Sequence, residues 1–206
     1  MQNSMPGDFP VNDTLKTSDL ESYADFVRNQ KNLDKRGVYI WGFRFFDPTI
    51  VKTSDFIPYY VGKHRKDIHQ RIQEHVLELR EGTHKIIRKE LMLLNNRQEY
   101  FSSQKSVDHV YIHLRDTTPK NKLPIKEQLD LISHINFYVD NLYVSYIDVS
   151  HLKLTEDVEI KYIDYLERYI QKPLKYLCSR VGKKYPPSFK PVIEPGKGME
   201  NIFPKE

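Results

Sequence analysis

Cysteine is nearly missing from this chain. One residue of 206, Cys178, is a cysteine, so no disulfide can close within it, which fits a reducing compartment. The first 30 residues have neither the basic start nor the apolar core of a secretory signal. No apolar run approaches the ~20 residues that span a bilayer, so no membrane partner is expected and the protein reads as soluble and intracellular. Internal repeats, low-complexity tracts and zinc-finger spacings are missing too, which excludes solenoids and the common modular DNA readers.

Aromatic residues and locally concentrated charge stand out among what is present. The chain has 14 Tyr and 10 Phe, and its hydrophobic share of 39% is enough for one domain with a working core. Net charge is only +4, but residues 63–89 hold eight Lys or Arg against four acids, so this one segment matches the surplus of the whole chain. It also holds four of the eight His. Such a concentration suits a polyanion such as nucleic acid, and it equally suits a solvated helix face.

Residues 1–16 are polar and read as a loose arm, followed by a helix after Ser18 or Asp19. "RGVYIWGFRFF" and "FIPYYVGK" read as two strands of an antiparallel hairpin with a long loop, "DPTIVKTSD". From Asp67 to Glu81, Ile68, Ile72, Val76 and Leu79 form one apolar helical stripe. Gly82 ends that helix, and Thr83 starts another whose stripe is Ile87, Leu91 and Leu94. Further on, "VDHVYIHLRD" reads as a strand, "IKEQLDLISHI" as a helix and "NLYVSYIDVS" as a strand. A last helix starts at Thr155 and stops near Pro173, leaving an extended Pro-containing tail. The order implies an α+β domain, with helices on a small antiparallel or mixed three-stranded sheet.

The segment "DFIPYYVGKHRKDIHQRIQEH" turns from strand to helix with Tyr60, Lys63, Arg71 and His75 in close succession. "GVY" at 37–39 and "YVGK" at 60–63 on paired strands, then Arg71 and His75 one turn apart on the next helix, resemble the GIY-YIG nuclease family. "EGTHKII" adds His84 soon after that helix, as in many members. The resemblance covers roughly residues 35–172; residues 1–34 form an N-terminal arm and helix, 96–135 an insertion, and 173–206 a basic C-terminal extension.

Phosphodiester cleavage needs an activated nucleophile, cations against the charge developing on phosphorus, and a stabilised leaving group. A planar guanidinium suits Arg71 to a phosphate, and Lys63 follows a glycine where backbone can approach closely. The resemblance implies that Tyr39 orients the attacking water, helped by Lys63 or a histidine, and that Tyr60 holds the phosphate or its hydrogen-bond network. Arg65, Lys66, Lys85, Arg88 and Lys89 join Lys63 as candidate nucleic-acid contacts. Each residue also has a plainer role: strand aromatic, half-buried histidine, surface charge or, for His84, helix cap.

The resemblance further implies one Mg²⁺ (or Mn²⁺) on a glutamate of the helix after the third core strand. A single carboxylate suffices for an ion that keeps waters and phosphate oxygens as ligands. On a helical wheel Glu159 falls inside the apolar arc of Tyr162, Leu166, Tyr169 and Ile170, where an unpaired carboxylate is costly. Glu159 is therefore the candidate, with Glu167 at the arc's edge in reserve. Three features depart from the family pattern: Tyr39 and Tyr60 lie 21 residues apart, the insertion is long, and no Asn occurs from 142 to 200.

The expectation is a metal-dependent endonuclease acting on DNA, in the cytoplasm or on the nucleoid. A nucleic-acid-binding module that keeps the fold with impaired catalysis is the alternative. A double-strand cut from a one-site enzyme would take a homodimer, for which the sequence offers no surface. The tail from 172 to 206, with eight Lys or Arg against three acids, suits either phosphate contact or a disordered solubilising end.

Overall fold

A computed structural model of the chain describes residues 14–29, 35–44, 46–47, 52–53, 55–81, 136–172 and 189–203. It divides into two units, one of residues 1–69 with 142–206, the other of residues 70–141. The expected helix at 83–94, the strand and helix within 107–135, and the insertion at 96–135 lie outside the described residues.

The first unit is mixed α+β. Its elements are β1 (Thr14–Lys16), β2 (Glu21–Ser22), α1 (Tyr23–Arg28), β3 (Gly37–Phe43), β4 (Phe46–Asp47), β5 (Lys52–Thr53), β6 (Ile57–His64), the start of α2 (Ile68–Glu81), β7 (Leu142–Asp148), α3 (Glu156–Gln171) and β8 (Val192–Glu194). A four-stranded sheet has the order β2-β7-β3-β6, and every pairing in it is antiparallel. The three expected strands are β6, β3 and β7, and the two-residue β2 widens the sheet by one. The long hairpin connection is not plain loop, because β4 and β5 pair antiparallel within it.

Period-two alternation gives each side of this sheet its character. On β3, Tyr39, Trp41 and Phe43 face one way, while Val38 and Ile40 face the other. The apolar α3 packs on the second side: Tyr162, Ile163, Leu166 and Ile170 share one buried cluster with Val38, Ile40, Val61 and Ile147. Each such side chain contributes ~1.5–3 kcal/mol by leaving water. Gly37 is required where β3 begins, since its φ is 147° and an added Cβ would fall on the Ile147 carbonyl oxygen.

Both chain ends depart from expectation. β1 lies in the stretch read as a loose arm, and it pairs in parallel with β8 from the stretch read as an extended tail. Thr17 N donates to Glu194 O at 3.0 Å and Leu20 N to Lys197 O at 2.9 Å. Phe189, Met199 and Phe203 join the α3 cluster, and the Phe189 ring meets Tyr162, Tyr165 and Tyr169 at 5.4, 6.1 and 6.0 Å. Phe189, Met199 and Phe203 therefore anchor residues 189–203 to the core, by apolar burial that the local sequence pattern does not advertise. The first helix also starts later than expected, capped by Ser22, whose hydroxyl accepts from Asp25 N.

The second unit includes α2 from Gln70 onward and a helical run at 136–140. The expected stripe of Ile72, Val76 and Leu79 is buried. Asn141 Nδ2 donates to Phe137 O at 2.8 Å and closes the helical run. Among the described residues, no helix is long and apolar enough to cross a membrane.

Candidate functional site

Tyr39, on the central strand β3, stands directly opposite Gly62 of β6, and Trp41 opposite Tyr60. Without a side chain at Gly62, the Tyr39 ring lies across the neighbouring strand. A Cβ added there would come within 2.5 Å of Tyr39 Cζ and 2.6 Å of Tyr60 Cε1. The two tyrosine rings are 6.1 Å apart and nearly parallel, and Trp41 stacks on Tyr60 at 5.6 Å. Tyr39 is buried and Tyr60 only partly so. Both motif tyrosines thus share one face, with Gly62 as the gap that lets them meet.

Lys63 does not join them. It pairs with Val38 in register, and so points to the side that carries α3. There its Nζ sits 3.1 Å from Asp164 and 2.7 Å from Glu167, and Arg65 reaches Asp164 at 3.3 Å. Burial alone would lower the Lys63 pKa, but hydrogen bonds and charge from Glu167 and Asp164 hold it above the ordinary value. The structure therefore does not bring Lys63 beside Tyr39, and the lysine's charge is spent on α3. Lys66 is exposed just before α2.

Glu159 is buried, as the helical wheel requires, and a partner relieves its cost. Arg36, the residue before β3, reaches its Oε1 at 3.1 Å. Glu167 is held by Lys63. Among the described residues, no three His, Cys, Asp or Glu are grouped as a metal set. A carboxylate that is 7% exposed in its side chain and already neutralised by a guanidinium does not fit a hydrated Mg²⁺, which needs room for several waters.

In the second unit, Arg71 Nη1 sits 2.7 Å from Glu74 and 3.5 Å from Glu78 on its own helix. Burial, reinforced by Arg71, pushes His75 down to about 4 against the opposing pull of Glu74. The neutral ring places Nδ1 3.3 Å from Glu78 Oε2. Since a carboxylate only accepts, Nδ1 carries the proton and Nε2 keeps its lone pair. His84, Lys85, Arg88 and Lys89 lie outside the described residues.

Sequence reasoning missed three neighbours of the tyrosine face. Tyr146 of β7 stands opposite Tyr39. Lys35 Nζ donates to the Tyr146 hydroxyl at 2.6 Å. His69 in the first turn of α2 stacks on Phe26 at 4.4 Å and meets Tyr146 edge-on at 5.7 Å. Alternation along "LYVSYID" would have grouped Leu142, Val144 and Tyr146, but only the register with β3 aligns that row with Tyr39.

Searches against models of known protein families, curated proteins and solved structures find no match for this chain.

Proposed function

We propose that the chain is an endonuclease of GIY-YIG type that hydrolyses DNA phosphodiester bonds; the expected metal dependence, which the pairing of Glu159 with Arg36 does not favour, is put to the cleavage test below. The observation that carries this reading is the approach of Tyr39 over Gly62 beside Tyr60. A glycine opposite a tyrosine, with a second tyrosine two residues before it, is what a paired GVY and YVG require if both hydroxyl-bearing rings are to meet. On this reading the Tyr39 hydroxyl orients the attacking water and Tyr60 holds the phosphate network. Fixed donors of this kind act by positioning and by stabilising developing charge. On the same reading Arg71 and His75 stabilise the phosphate, and Arg71 is tested by substitution. The enzyme would work inside the cell, in the cytoplasm or on the nucleoid, and a double-strand cut would engage two copies.

A second reading is favoured by a specific observation. Glu159 and Lys63, the expected metal ligand and tyrosine activator, are both committed to ion pairs about α3. That arrangement supports a nucleic-acid-binding module without catalysis. The test is cleavage of supercoiled plasmid, linear duplex and branched junctions with Mg²⁺ or Mn²⁺ against chelator. Wild type runs beside Tyr39→Phe, Arg71→Ala, Glu159→Gln and Glu167→Gln. Metal-dependent nicking lost in Tyr39→Phe and Arg71→Ala supports the nuclease, and the two Glu variants then decide the ligand. Salt-sensitive binding with no cleavage of any substrate supports the module. Neither binding nor cleavage refutes both.

A further inference from the structure

The tyrosine face continues past Tyr39 onto β7, where three polar side chains have no role in the reading above. Lys35 stands out among the basic residues around the sheet. Arg36, Lys63 and Arg65 are each matched by an acid of α3. Among the described residues, no carboxylate pairs with Lys35. Its Nζ gives one hydrogen bond to the Tyr146 hydroxyl and lies 4.5 Å over that ring. An ammonium has three donors, so two remain. Tyr146 spends an acceptor on this bond and keeps its own O–H to donate.

His69 completes the group. The residue is 7% exposed and its Nδ1 is buried with no hydrogen-bond partner. The nearest acid atom, Asp67 Oδ1, is 3.8 Å away and already accepts from His69 N at 2.8 Å. A buried, unsatisfied imidazole nitrogen costs free energy and calls for a reason. Burial, with Lys35 adding to it, lowers the His69 pKa, and Asp67 and Asp148 pull the other way. The balance keeps the ring neutral without ligand, while an anion near Lys35 would offset the lysine's repulsion. The imidazolium would then carry a proton on Nδ1 to donate toward Asp67 Oδ1, 3.8 Å away. Asp148, the other nearby acid, accepts from Ser150 N at 2.9 Å.

We infer that Lys35, Tyr146 and His69 form a second phosphate-contacting subsite, which holds the nucleic-acid backbone beside the Tyr39–Tyr60 position. Tyr39 and Tyr146 are direct cross-strand partners, a separation of about 5 Å between Cβ atoms, close enough to serve neighbouring phosphates of one strand. The subsite is a positioning device and reads no base. It rests on the nucleic-acid reading above.

The test is affinity of the full chain for a fluorescent DNA duplex across a KCl series, for wild type, Lys35→Met, Tyr146→Phe and His69→Gln. Lys161→Met, on an exposed position of α3, is the charge control. Loss of one phosphate contact lowers the slope of log affinity against log salt by about 0.9. Lys35→Met is expected to show that change and weaken binding about tenfold at low salt. Tyr146→Phe, which removes no charge, is expected to weaken binding about threefold or more, and Lys161→Met to leave both quantities unchanged. Salt-dependent wild-type binding that Lys35→Met and Tyr146→Phe leave intact would overturn the subsite alone. An absence of wild-type binding would overturn it together with the nucleic-acid reading. Should His69→Gln unfold, the two more accessible positions decide.

Discussion

Gly62→Ala is a sharp test of the tyrosine arrangement, because one methyl group enters the space on which it depends. The new Cβ would sit 2.5 Å from Tyr39 Cζ and 2.6 Å from Tyr60 Cε1, well inside the ~3.5–4.0 Å of an unstrained carbon contact. Tyr39 is 1% exposed and cannot swing into solvent. Tyr60 is partly exposed and stacked on Trp41, so it can yield only by giving up that contact. Overpacking of this kind costs about 1–3 kcal/mol. Gly62 has no positive φ, so alanine also restrains the unfolded chain and returns about 0.4–1 kcal/mol. The net expectation is a loss of about 1–2 kcal/mol.

The single tryptophan, Trp41, lies in this cluster and reports it by fluorescence. With a urea slope of about 2 kcal/mol/M, the unfolding midpoint should fall by roughly 0.5–1 M. Tyr39→Leu removes the atoms that clash, so the double variant should be more stable than the two single effects summed, by about 1 kcal/mol. If the chain is the proposed nuclease, DNA cleavage by Gly62→Ala should drop by about 10²-fold, the cost of misplacing a positioned group. A midpoint at or above wild type, or strictly additive single effects, would refute the packing of Tyr39 over Gly62. Full activity beside a lowered midpoint would refute the link from that packing to catalysis.

Arg36→Met strands the buried Glu159 carboxylate and should cost about 2–4 kcal/mol, whereas Glu159→Gln removes the charge and should cost only about 1 kcal/mol. Equal urea midpoints for the two variants would show that the pair does not neutralise Glu159. Lys63→Met leaves Asp164 and Glu167 facing each other and should lower stability by about 1–2 kcal/mol at pH 7. Measured in about 1 M KCl that deficit should shrink as the charges are screened; a deficit independent of salt would argue for lost packing instead. His75 binds its proton near pH 6.5 when unfolded but only at about 4 when folded, so its contribution is full above pH 6.5 and is lost as pH falls toward 4. The gap amounts to about 3 kcal/mol, and urea midpoints at pH 7, 5.5 and 4 should follow this limb in wild type and flatten in His75→Gln.

Much of the fold was legible because its signals are local. The strands from Gly37 and toward His64, the stripe of Ile68, Ile72, Val76 and Leu79, and the helix after Thr155 each declare themselves within a few turns of chain. The pairing of β1 with β8 does not, since it joins Leu15 to Ile193 and depends on what each buries against distant residues. The cost of Glu159 inside an apolar arc was also legible, and so was the need for a partner. Arg36 as that partner was not, because an ion pair across more than a hundred residues leaves no spacing to read.

The placement of Lys63 could have been read from the sequence. Alternation alone puts Tyr60 and Gly62 on one face of a strand and Lys63 on the other. A tripeptide that meets a partner strand cannot lend its next residue to the same side unless a bulge intervenes, and the register shift between the described pairs of β3 and β6 lies between Trp41 and Gly42, beyond the motif. The alternation also explains why the charges lie where they do. Lys63 emerges at the rim of an apolar face, where Asp164 and Glu167 of α3 neutralise it. The opposite face keeps its hydroxyls beside Lys35, with which no acid pairs among the described residues. A strand gives each face a separate set of side chains, so on the proposed nuclease reading a cation serving Tyr39 comes from the strand beside it or from the turn leading into its own.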